Sequence, residues 1–145
     1  MSYLFKQKLD LRELTGQVLP AKLIIVAEPE EYLLALYSYY LQKNNFEVIH
    51  CTQGIELLEL IERHTPHLII FNPRSYGGIK EAVKFVNNLI GAYPFVPIVT
   101  IGNDISTEDL RALMSSGIAS HIDRRLSKPM DVVHVARSIL EMQER

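Results

Sequence analysis

The sequence predicts an α/β domain in which a parallel sheet is sandwiched between two layers of helices. Two observations carry this. Five short apolar runs alternate with five helical patterns, and alternation of that kind implies right-handed crossovers and a three-layer sandwich. Three of the runs are apolar on successive residues, as in strands buried on both faces.

The first run is LIIVA (23–27). The helical pattern after it covers about 30–43, with Leu33, Leu36, Tyr37, Tyr40 and Leu41 on one stripe. Tyr32, Leu34 and Tyr39 are expected to project away from that stripe, as a candidate contact face. Asn44-Asn45 supplies the stop. The second run, EVIHC (47–51), alternates and reads as an edge strand. A helix over 54–63 follows and breaks before Pro66. The third run is LIIF (68–71), ending at Asn72-Pro73 and a loop with Gly77-Gly78. Val83, Val86, Leu89 and Ile90 then mark a helix over 79–92. The fourth run, IVTI (98–101), leads to Ser106-Thr107-Glu108-Asp109, a capping-box pattern. The fifth, SHID (120–123), is the weakest by pattern. The last helix starts at Ser127 or Met130 and runs to the end. Residues 1–20 stand outside the alternation and form an N-terminal extension, with a short helix expected before Gly16. Residues 21–145 form the domain.

The 145 residues suit one domain. Apolar residues make up 48% and charged residues 22%, an ordinary globular composition. A net charge of −2 leaves no electrostatic footprint for nucleic acid or an anionic membrane, and neither partner is expected. Cys51, the single cysteine, cannot form an internal disulfide, which fits a reducing cytoplasm. No run approaches membrane-spanning length, and the first residues lack a signal-peptide core. His64 and His67 have a ligand-like separation, but Thr65-Pro66 breaks any shared helical face. No metal or cofactor is expected.

Several motifs, in order, resemble the response-regulator receiver (CheY-like) domain. AKLIIVAEPE followed by YLQKNNFEVI is similar to the first strand, acidic pair and first helix of receivers. PHLIIFNPRSYGG is similar to the third strand, where receivers carry the phosphorylated aspartate. VPIVTIGND resembles the fourth strand, and GIASHIDRRLSKP the fifth strand with its Lys-Pro. The resemblance spans about 22–140. It implies a flavodoxin-like doubly wound sheet of strand order 2-1-3-4-5. It also implies Mg²⁺ held by carboxylates, with an aspartate attacking phosphorus.

This sequence departs from that pattern at most of the positions concerned. Glu28 falls at the first acid of the pair, but Pro29 falls at the second and has no side-chain ligand. Asn72 falls at the phosphoacceptor, and a carboxamide forms no acyl phosphate. Gly102 falls at the Thr/Ser position, and His121 at the switch aromatic. The lysine position is open between Arg124, counted without a gap from Gly117, and Lys128, which needs about four extra residues. Deamidation of Asn72 to aspartate is opposed by Pro73, which lacks the attacking backbone N–H. The expectation is therefore a degenerate pseudo-receiver with no catalytic residue, in which Glu28 pairs with Arg124, or Arg124 or Lys128 bonds the Asn72 carboxamide. Its output goes through a protein partner or a second copy, across the face of the fourth helix, fifth strand and fifth helix. With the chain ending soon after the fifth helix, no output domain is expected. Two alternatives stay open: a phosphoaccepting receiver with an atypical site, and a flavodoxin-like ligand-binding or enzymatic domain.

Overall fold

The computed structural model describes residues 21–143. The extension at 1–20 and its expected helix lie outside the described residues, as do 144–145.

Five strands form one parallel sheet. They are β1 (Leu23–Ala27), β2 (Glu47–Cys51), β3 (Leu68–Phe71), β4 (Ile98–Gly102) and β5 (Ser120–Asp123), in the order β2-β1-β3-β4-β5. The connecting helices are α1 (Glu31–Lys43), α2 (Leu57–His64), α3 (Ile79–Ala92), α4 (Thr107–Ser116) and α5 (Pro129–Gln143). This is the doubly wound fold and strand order expected above.

The continuous apolar runs exist because the sheet has a core on each face. Ile24, Val26, Leu68, Ile70, Val99 and Ile101 point to the side of α1 and α5 and meet Leu41, Val133 and Leu140. Ile25, Ala27, Ile69, Phe71 and Ile98 point the other way and meet Leu57, Phe85, Val86 and Leu113. Register follows, with Ile25 opposite both Ile49 and Ile69. A slip of one residue in β1 would exchange its two sets between cores of different shape. β2 lies at one edge of the sheet, as expected, and its Glu47 and His50 are exposed.

Local signals set the ends. Asn44 and Asn45 close α1, with Asn45 at φ 72°. The Ser106 hydroxyl accepts from the Asp109 N–H at 3.0 Å and opens α4. Gly117, at φ 104°, closes it in the left-handed conformation. Pro129 opens α5, where its missing N–H costs nothing.

Two expectations need correction. Leu34 does not project outward: it is buried on a stripe with Tyr37, Ser38 and Leu41. A polar Ser38 on the inner face hid this stripe in the sequence and shifted the apparent one by a residue. Tyr32 and Tyr39 are exposed, as expected. The helix expected over 54–63 is α-helical only from Leu57 to His64 and opens with a 3₁₀ turn, Gly54–Glu56. Gln53 and Glu56 cap it reciprocally.

Candidate functional site at the strand ends

Parallel strands deliver their C-terminal ends to one edge, where open α/β sheets place their sites. Glu28 follows β1, Asn72 follows β3, Gly102 ends β4 and Arg124 follows β5. Backbone ladders hold the first two in place: Glu28 N–H donates to Cys51 O at 3.0 Å, and Asn72 N–H to Ala27 O at 2.9 Å. Glu28 is fully buried and Asn72 is 2% exposed.

These two side chains bond each other. Asn72 Nδ2 donates to Glu28 Oε1 at 3.0 Å. The other carboxylate oxygen, Oε2, accepts from the Glu30 N–H at 2.9 Å. Asn72 Oδ1 accepts from the Arg74 N–H at 3.0 Å and caps the 3₁₀ turn Pro73–Tyr76. A backbone N–H can face only the oxygen of a carboxamide, so the Arg74 bond fixes the orientation and leaves the NH₂ for Glu28. Asn72 therefore serves two neighbours of opposite need. An ionised aspartate could cap the turn but could not donate to Glu28.

The expected cation contacts are absent. Arg124 pairs with Glu30 at 3.7 Å, not with Glu28 or Asn72. Both oxygens of Glu28 and both ends of the Asn72 carboxamide already have partners, so the guanidinium turns to the more exposed acid. Arg124 directly follows β5, whereas Lys128 lies beyond the turn Arg124–Leu126. The Lys128 N–H donates to Asp131 Oδ2 at 2.7 Å and opens α5. Pro29 is exposed and brings no ligand. Gly102 brings no hydroxyl, and a Cβ added there would sit 3.4 Å from Asn72 Oδ1. Among the described residues, no group of three or more His, Cys, Asp or Glu could hold a metal ion. A cleft of about 360 Å³ opens beside Asn72, between the loops after β3 and β4.

Neither a family model nor any curated protein matches the sequence. Solved structures do match. A CheY-like response-regulator receiver domain from Methanospirillum hungatei superposes with a TM-score of 0.78 at 18% identity, over 86% of this chain and 97% of that one. A response regulator from Thermotoga maritima gives 0.74 at 12% identity, over 83% and 98%. The receiver domain of NtrX from Brucella abortus gives 0.72 at 19% identity, over 81% and 98%. The fold is the response-regulator receiver fold. Against a longer NtrX chain, crystallised with ADP, this chain spans 27% of the length.

Within the receiver frame, one polar pair escaped the sequence reading. Thr100, fully buried in β4, lies opposite His121 of β5, and its Oγ1 is 2.7 Å from His121 Nδ1. The only hint was a threonine inside the apolar run IVTI. Other site groups also shift. Burial, then the charge of Glu28, pushes the Tyr37 phenol up to about 12, against the pull of Arg124. Burial raises the Cys51 thiol to about 11, which makes it inert at neutral pH. The Arg125 side chain holds Asp123 below the ordinary carboxylate range.

Burial lowers the pKa of His121, with Asp123 partly opposing. The folded chain therefore holds His121 neutral where the unfolded chain protonates it. The contribution is intact above the unfolded value of about 6.5. It is lost as pH falls from there through the depressed folded value. His121→Phe should flatten this part of the stability profile between pH 7.5 and 5, read by urea unfolding. An unchanged slope would show that other groups carry it.

Proposed function

We propose that this chain is a pseudo-receiver: a signalling module of the two-component type that accepts no phosphoryl group and works by protein–protein contact. One observation carries this reading, the buried hydrogen bond from Asn72 Nδ2 to Glu28 Oε1. In the receiver pattern this place holds a nucleophilic carboxylate and a metal ion bound by acids. Here an amide donor satisfies the one remaining acid, Pro29 supplies no ligand, and Gly102 supplies no hydroxyl. The amide has no oxyanion to attack phosphorus. On this reading the protein is not an enzyme, needs no cofactor and acts in the cytoplasm.

The output surface we favour is the face of α4, β5 and α5. Arg137 turns to Asn44 at the end of α1, 3.5 Å away, but Glu108, Arg111, Arg125 and His134 are exposed on this face. Met114 and Leu126 stand among them at 49% and 84% exposure. Large apolar side chains ringed by charge suit a protein partner or a second copy of the chain.

Acetyl phosphate with Mg²⁺ should leave the intact mass unchanged. A mass increase of one phosphoryl group, mapped to Asn72 or a neighbour, would overturn the pseudo-receiver reading in favour of an atypical phosphoacceptor.

A further inference from the structure

A second cavity, of about 240 Å³, lies between α1, the end of β4 and the connection from β5 to α5. Its walls are apolar, with Leu33, Leu36 and Ile101 prominent. Its polar groups are Tyr37, Arg124, Lys128 and Ser127, whose hydroxyl already donates to Asp123 O at 2.7 Å. No acid is among the lining residues, whereas the cleft beside Asn72 sets Asp104 and Asp109 against Arg74.

The dimensions and chemistry define an occupant. An apolar cavity of roughly 150 Å³ already takes benzene. This one has room for such a ring plus a short arm. Tyr37 is 3% exposed, and with its phenol pushed up to about 12 it is a neutral donor at physiological pH. The Arg124 side chain is 21% exposed, and its partner Glu30 is 61% exposed and 3.7 Å away. That is long for a charge-assisted hydrogen bond, so an anion entering the cavity competes for the guanidinium against a loosely held, solvated rival. Lys128 is exposed and adds a second positive charge.

We propose that this cavity binds a small carboxylate with an aromatic or branched apolar body. The body packs on the leucines and Ile101, and the carboxylate meets Arg124, Lys128 and the Tyr37 hydroxyl. Arg124 directly follows β5, so the ligand reaches the same sheet edge as Asn72 from the other face. The proposal does not depend on whether Asn72 accepts a phosphoryl group.

Titration of the ¹⁵N-labelled protein with phenylacetate tests it. Saturable shifts should centre on Ile101, Arg124 and Lys128, with a Kd of about 1 mM or below. The neutral alcohol 2-phenylethanol should bind about tenfold more weakly. Lys128→Gln, at an exposed position that leaves the fold intact, should weaken phenylacetate several-fold and 2-phenylethanol not at all. The absence of saturable shifts up to about 20 mM phenylacetate would overturn the proposal. So would equal affinity for the neutral probe, or shifts centred on Arg74 in the other cleft.

Discussion

Asn72→Asp should lose several kcal/mol of stability at pH 8, although it changes one atom. The substitution replaces the Nδ2 donor with an oxygen about 3.0 Å from Glu28 Oε1, inside a fully buried pair. Two unit negative charges at that separation repel by roughly 5 kcal/mol at an effective dielectric of 20. Relaxation and shared protonation reduce this, since like charges in one site raise one of the two pKa values. The sign with pH follows. A carboxyl whose folded pKa is raised destabilises the fold above that value. The deficit shrinks as pH falls and one proton is shared. A divalent cation should act in the same direction, because it gives both carboxylates a common partner. The expected pattern is a depressed melting temperature at pH 8, recovered in part at pH 5 and in part by millimolar Mg²⁺. The wild type should respond to neither in this way. Equal stability of variant and wild type at pH 8 without divalent cations would show that the Asn72–Glu28 bond does not hold the site.

The fold was legible because burial on both faces leaves a strong trace. LIIVA, LIIF and IVTI have no polar side chain except Thr100, and each became a central strand. EVIHC, less continuously apolar, became one edge, and SHID, the weakest run, the other. The site positions were legible for the same reason, since the residue after a buried strand in such a sheet lies at the functional edge. Side-chain pairing was not legible. Glu28 and Asn72 are 44 residues apart, and their contact depends on the register of β1 with β3 and on which end of the carboxamide the turn captures. Charge alone favoured Arg124 as the partner of Glu28, but in the fold both oxygens of that acid are already filled. Leu34 was misplaced because overlapping helical stripes differ by a single residue, and Ser38 made the true stripe look polar.

Phe71→Ala should be the most damaging single truncation beneath the site, at about 3–5 kcal/mol. Phe71 is fully buried, and its ring centroid lies 5.8 Å from that of Phe85. Phe85 in turn stacks on Tyr76 at 4.2 Å. Tyr76 belongs to the turn that Asn72 caps, so this aromatic column ties α3 and the β3 loop to the strand that delivers Asn72. Gly54 closes the space from the other side: a Cβ there would stand 3.1 Å from Phe71 and 3.0 Å from Tyr76. Neighbours packed this closely on a helix and two turns collapse poorly into a void, which puts the cost at the high end for such a change. A domain of ordinary stability has about 5–15 kcal/mol in total, so a third or more would go. Phe71→Leu keeps most of the volume and should cost less than about 1.5 kcal/mol. Urea unfolding measures both. The Asn72 side-chain NH₂ resonances report on the site itself, and their solvent exchange should quicken in Phe71→Ala and stay slow in Phe71→Leu. If Phe71→Ala lost stability but left those amide protons protected, the aromatic column would stabilise the fold without positioning Asn72. The ladder bond from Asn72 N–H to Ala27 O would then suffice to hold the carboxamide against Glu28.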